Sequence, residues 1–171
     1  LIQGSDANTF LYNMNAKNFL GEKMLLESNY ELKATSCDLA NRETETDLLV
    51  MAIGYDIGLL RIYQFNNETL KLSLLTQLRA HEVPIKRVLF SPDKSYLITQ
   101  TTNEIFIFII DDYHKIIPFC SIRKSCSIID LDWHPESKKF IVGLSDGSVE
   151  EIEIPLNFDN SKTFLMTEYN Y

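Results

Sequence analysis

Apolar residues in this chain come in short runs, and the runs are built from strand-forming side chains. Leu48–Tyr55, Leu59–Phe65, Ile85–Ser91, Tyr96–Thr102, Ile105–Ile110, Ile128–Trp133 and Lys139–Ser145 are rich in Ile, Val, Phe, Tyr and Thr, and turn residues bound most of them. Several are apolar at consecutive positions, as in "IFIFII" (Ile105–Ile110). That pattern predicts sheets buried on both faces. Only "AKNFLGEKMLLES" (residues 16–28) offers a helical turn or two, and Gly21 in its middle counts against even that.

The turns between these runs recur. "IQGSDANTFLY", "AIGYDIGLLRIY", "ITQTTNEIFIFI" and "IVGLSDGSVEEI" align on Gly4, Gly54, Gln100 and Gly143. A unit of four short strands repeating every 40-odd to 50 residues, roughly, is the signature of a propeller blade array. The expected fold is all-β: about three and a half blades, each of four antiparallel strands, from a larger propeller. Residues 1–15 read as the end of a preceding blade, 16–66 as a divergent repeat, 67–111 and 112–155 as two clear repeats, and 156–171 as a tail or the start of the next blade. Such an array leaves a blade face open at each end. Those faces are expected to be apolar, and the isolated chain is expected to self-associate through them.

The motifs resemble the WD-repeat family. "AHEVPIKRVLFSPDKSYLITQTTNEIFIF" follows that family's pattern of a Gly-His-like corner, an F-S-P-D turn and a polar turn leading into an apolar strand. "LDWHPESKKFIVGLSDGSVEEI" follows it again, with Trp133-His134-Pro135 in the F-S-P place. The Trp-Asp dipeptide itself is missing; Ile109-Ile110 and Ile152-Glu153 stand there. The succession also resembles the cilia- and flagella-associated WD-repeat proteins, in particular the tether-head subunit of the two-headed inner dynein arm. "IIPF" after the "FIF" strand and the W-H-P…G-x-V-x-E-I-x-x-P ending carry that likeness. It implies a non-catalytic scaffold that sits with a sister WD-repeat protein and dynein-arm subunits and has no cofactor. The implied location is the axoneme of a cilium or flagellum.

Composition narrows the partners. The chain has 171 residues, 45% hydrophobic and 11% aromatic, enough for a packed core. Its formal charge of −8 disfavours nucleic acid, anionic lipid and the acidic surface of the microtubule itself, so attachment is expected to run through other proteins. No apolar run reaches the ~18 residues needed to span a bilayer. The three cysteines, Cys37, Cys120 and Cys126, show no C-x-x-C spacing and read as reduced thiols in a reducing, cytoplasmic setting. The start "LIQGSDANTF" has neither an initiator Met nor a signal-peptide pattern, as expected of a piece of a longer protein.

Candidate chemistry is sparse. Asp146-Gly147 reads as a hairpin turn, with Gly supplying positive φ and Asp bonding nearby amides. His81, Thr101 and Asn103 occupy the places of the family's buried polar network, and an imidazole N–H can donate to an Asn carbonyl. Glu150, Glu151 and Glu153 interrupt a strand. Period-2 geometry puts Glu150 with Ile152 on one face and Glu151 with Glu153 on the other, making them candidates for contact with a basic partner. "DDYH" (Asp111, Asp112, His114) reads as a solvated turn ahead of a divalent-cation site. Cys120 and Cys126 lack the further ligands that zinc requires. Tyr113, Phe158, Phe164, Tyr169 and Tyr171 are weighed as core or as interface aromatics. Two other functions are open: an enzyme using Lys86, Arg87, Asp130 and Asp132 on inner strands, and a phosphopeptide reader using Lys86-Arg87 or Arg123-Lys124. The first lacks a nucleophile, and the second has few cations.

Overall fold

In the computed structural model, the described residues are 2–3, 9–10, 12–13, 18–19, 32–41, 48–66, 71–111, 115–136 and 138–154. All their regular structure is strand: β1 (Ile2–Gln3), β2 (Thr9–Phe10), β3 (Tyr12–Asn13), β4 (Asn18–Phe19), β5 (Ala34–Asn41), β6 (Leu48–Tyr55), β7 (Leu59–Asn66), β8 (Lys71–Arg79), β9 (Arg87–Phe90), β10 (Tyr96–Gln100), β11 (Glu104–Ile110), β12 (Ile116–Arg123), β13 (Ile128–Trp133), β14 (Lys139–Leu144) and β15 (Val149–Glu153). The short pairs β1-β2 and β3-β4 precede three sheets of consecutive strands, β5-β6-β7-β8, β9-β10-β11-β12 and β13-β14-β15. Most of 16–28 lies outside the described residues, and its described part, Asn18–Phe19, is the strand β4 rather than helix.

Each of the three larger sheets is a meander, in which strands consecutive in the chain lie side by side and pair antiparallel. A repeat that begins on an outer strand gives that strand to the sheet before it. Thus β8, from the 67–111 repeat, completes the β5–β7 sheet.

The chain divides into two compact units, Leu1–Val88 and Leu89–Tyr171, with the division inside β9. In the first unit, Met51, Ile53, Tyr55, Tyr63 and Phe65 form the centre of a buried cluster on one face of β5–β8. The Arg61 guanidinium lies 5.4 Å from the centre of the Tyr55 ring. Burial holds the Tyr55 phenol well above its ordinary range, so it stays neutral. In the second unit, the β9–β12 and β13–β15 sheets share one core. Ile98, Ile105 and Ile107 meet Leu131, Trp133, Phe140 and Val142. Trp133 is its hub. It stacks on Tyr96 at 6.1 Å, takes Phe140 edge-on at 5.5 Å, and donates its indole N–H to the Leu89 carbonyl at 3.4 Å.

Gln100 stands where the other repeats have glycine. It is buried, and its side-chain amide donates to the Ile128 carbonyl at 3.3 Å.

Candidate protein-interaction surface

Most of the polar residues singled out from sequence turn out to hold turns. Asp146 Oδ1 accepts the Ser148 N–H at 2.9 Å and the Ser148 hydroxyl at 2.6 Å, and Oδ2 accepts from the Cys126 thiol at 3.4 Å. These donors hold the Asp146 carboxyl below the ordinary carboxylate range, the Ser148 hydroxyl contributing most. Gly147 has φ 86°, and its N–H returns to the Leu144 carbonyl at 3.0 Å. The result is a tight hairpin turn that needs a left-handed residue. The Ser91-Pro92-Asp93 turn is held likewise. The Ser91 hydroxyl donates to Asp93 at 2.7 Å and accepts the Tyr96 N–H at 2.9 Å. In the W-H-P repeat, His134 Nδ1 takes over as acceptor, receiving the Glu136 N–H at 3.2 Å.

His81 is buried, at 3% exposure, and its backbone N–H donates to the Gly58 carbonyl at 3.1 Å. Thr101 is buried too, and its hydroxyl oxygen accepts the Glu104 N–H at 3.1 Å. Asn103 is exposed, and its backbone carbonyl accepts the Lys124 N–H at 2.9 Å. Its side chain therefore belongs to the surface rather than to a buried network. His81 and Thr101 lie in different units of the chain.

The three glutamates are divided by the sheet. Glu150 is opposite Val142, on the face packed against β9–β12, and its carboxylate is paired with the Lys124 ammonium. Glu151 and Glu153 point to the other face. There Glu151 meets Lys139 at 3.0 Å, and this pairing raises the Lys139 ammonium above its ordinary value. The register fills in the rest of that face. Asp130, Gly143 and Val149 lie in one row, and Asp132, Ile141 and Glu151 in the next. Lys139 and Glu153 are paired beyond them. Asp132 was weighed from sequence only as an inner-strand group, and Ile141 and Val149 only as strand residues. Counting the period-2 alternation across adjacent strands, not along one strand, is the signal that brings them together. The open face was expected to be apolar. It is mixed: exposed Ile129, Ile141 and Val149 among carboxylates, because β13 and β15 alternate core residues with acids.

Among the described residues, no group of three or more His, Cys, Asp or Glu side chains is placed to hold a metal ion. Asp112, Tyr113, His114, Phe158, Phe164, Tyr169 and Tyr171 lie outside the described residues. The Asp111 carboxylate accepts the Lys115 N–H at 2.7 Å. The three cysteines are free thiols, and burial pushes those of Cys37 and Cys120 up.

No protein-family model matches the chain, and no curated protein matches it. Solved structures do. Sqt1 of Saccharomyces cerevisiae superposes with a TM-score of 0.59 at 14% identity, over 73% of this chain and 32% of that one. A chain of the Mitotic Checkpoint Complex superposes with a TM-score of 0.65 at 13% identity, over 86% of this chain and 41% of that one. Both are WD-repeat propeller proteins, and the fold of this chain is a partial WD-repeat β-propeller. The chain spans well under half the length of either neighbour.

Proposed function

We propose that this chain belongs to a non-catalytic protein-interaction scaffold, and specifically to an axonemal WD-repeat protein of a cilium or flagellum. In this reading it assembles with a sister WD-repeat protein and tethers inner-arm dynein to the doublet microtubule through other subunits. The observation that carries the scaffold reading is what its polar side chains do. Asp146, Thr101, Ser91 and Asp93 hold turns of the repeat, and Asp132, Glu151 and Glu153 are spread along one face of β13–β15. Propellers present such faces and rims as contact surfaces, and function resides in the site and not in the fold. One neighbour of the same fold comes from a multiprotein assembly. The axonemal part is supported by the motif succession around Ile105–Phe119 and Trp133–Pro155.

The phosphopeptide reading loses its second basic pair. Arg123 Nε donates to Glu104 at 2.7 Å, and Lys124 is taken by Glu150. Lys124 would have to give up that ion pair to receive a phosphate, and Arg123 shares its charge with Glu104.

The test is isolation of the complete protein from axonemes under mild salt, with its complex identified by mass spectrometry. A stoichiometric complex with a second WD-repeat protein and dynein-arm subunits is the expected result. Recovery only outside cilia, in a complex without dynein subunits, would replace the axonemal assignment with a cytoplasmic adaptor. Recovery as a free, uncomplexed protein would overturn the scaffold itself.

A further inference from the structure

On the scaffold reading above, we propose that β8, the outer edge of the β5–β8 sheet, takes up an extended segment of a partner protein as a fifth strand, and that this segment carries a carboxylate at each end of an apolar, Thr-rich centre. The three larger sheets have six edge strands, and five of them carry a device against further pairing. On β5 and β13, Asp38, Asp130 and Asp132 each accept the N–H of the following residue, at 2.8, 2.9 and 2.9 Å. On β9, the Val88 N–H goes to the Ser36 hydroxyl at 3.0 Å. β12 contains Pro118, which has no N–H, and β15 contains Glu150, Glu151 and Glu153. Proline, charge and occupied amides are what keep sheet edges from pairing.

β8 is the exception. It reads Lys-Leu-Ser-Leu-Leu-Thr-Gln-Leu-Arg, without proline, glycine or acid. Among the described residues it pairs with β7 alone. Leu74 is 50% exposed and Leu75 37%. Leu75 is the extra residue of a bulge, between Leu74 opposite Tyr63 and Thr76 opposite Ile62. β12, the outer strand of the next sheet, has a bulge too, so an outer place and a bulge do not set β8 apart. The lack of any guard does. A row of unpaired N–H and C=O groups on such an edge is a template for an added strand.

Charge selects the occupant. The chain carries −8, yet cations stand at both ends of β8, Lys71 and Arg79, and Arg61 on β7 donates to Gln77 on β8 at 3.0 Å. The nearest acids in sequence, Glu68 and Glu82, lie outside the strand. A second copy paired antiparallel about Leu75 would set Lys71 of each chain opposite Arg79 of the other. Like charges directly opposite are destabilising, and a segment with lysine at its ends fails for the same reason. A segment with Asp or Glu at each end meets Lys71 and Arg79 whether it runs parallel or antiparallel. Its backbone supplies the ladder, and its apolar side chains lie beside Leu74 and Leu75.

The experiment uses the complete chain and a synthetic peptide of alternating Val and Thr with Asp at each end, followed by amide hydrogen exchange. With saturating peptide, exchange along β8 should slow about tenfold while that along β12 stays as it was. Binding should weaken as salt rises from roughly 50 to 200 mM. Two altered peptides, one N-methylated at every Val and Thr and one with Lys in place of Asp, should each bind about tenfold more weakly or worse. Leu74→Asp, which gives β8 the kind of guard that β13 has, should weaken binding likewise at an unchanged unfolding midpoint. If that variant unfolds early, the N-methylated peptide decides. No binding of the Asp-ended peptide, equal binding of either altered peptide, or protection centred elsewhere would overturn the proposal. So would protection of β8 that rises with chain concentration in the absence of peptide, since it would show a second copy on the edge. Any of these outcomes leaves the scaffold reading standing if the axonemal complex is intact. Loss of the complex with peptide binding preserved would remove the scaffold reading and keep the edge site.

Discussion

β10 and β14 hold the same place in their sheets, second from the inner edge, and both are apolar along most of their length. In β10, Leu97, Ile98, Thr99 and Gln100 are buried in succession, on both faces. In β14, burial alternates, with Phe140 and Val142 inside and Ile141 outside. Similar local sequences thus occupy different environments: β10 is buried at consecutive positions and β14 at alternate ones. The comparison teaches that a run of consecutive apolar residues encodes a demand for two covering layers, and that the demand on β14 is half met.

The largest expected effect separates the two faces. Phe140→Ala empties a fully buried site in the shared core and should cost about 3–5 kcal/mol. Ile141→Ala on the neighbouring position should cost less than about 1 kcal/mol. Urea denaturation of the two variants measures the difference, and equal losses would mean that the open face is covered within the chain.

The turns give the next contrast. Gly58 and Gly147 both have positive φ, at 79° and 86°. A Cβ on Gly58 would come within 1.9 Å of the His81 carbonyl oxygen, whereas one on Gly147 meets nothing within 4 Å. Gly147→Ala should therefore cost only the left-handed strain, about 1–2 kcal/mol. Gly58→Ala should cost more, since backbone must also move. Thermal unfolding midpoints that rank the other way would show that the corner at His81 yields easily.

Ion pairs provide a smaller one. Lys124 is 16% exposed where it meets Glu150, and Lys124→Ala should cost about 1 kcal/mol. Lys139→Ala, on the open face, should leave the unfolding midpoint where it is while making the face more acidic. A drop in midpoint for Lys139→Ala equal to that for Lys124→Ala would erase the distinction between the two faces.

The smallest effect is on acid stability. Folding lowers the Asp146 carboxyl pKa, so its stabilisation is present above the unfolded value and is lost as pH falls through the folded one. The window lies at and below the ordinary carboxylate range. Asp146→Asn should unfold with a flatter pH dependence there than wild type, and parallel curves would show that the Ser148 hydrogen bonds do not favour the charged form.

Much of this was legible in the chain. Residues 85–91, 96–102, 105–110, 128–133 and 139–145 were expected as strands, and β9, β10, β11, β13 and β14 lie within or almost within those spans, because strand-forming side chains and turn residues agree there. The Asp146-Gly147 turn was legible for the same reason. The acidic cluster was less so. Its split between Glu150 on one side and Glu151 with Glu153 on the other follows from period 2, but the partners Lys124 and Lys139 come from different strands and depend on register. Register between strands also assembled Asp132, Ile141 and Glu151 into one row, which no single run could disclose. The exposure of Asn103 was hidden because its repeat replaces the glycine turn with a Thr101–Glu104 turn closed by the Thr101 hydroxyl.

The account turns on one face of β13–β15 holding the fold and the other being left open. Methyl NMR of the folded chain with a soluble paramagnetic probe tests this most directly. The expected result is that the methyls of Ile129, Ile141 and Val149 broaden while those of Ile128, Leu131 and Val142 stay sharp. Equal broadening of the two sets would contradict it.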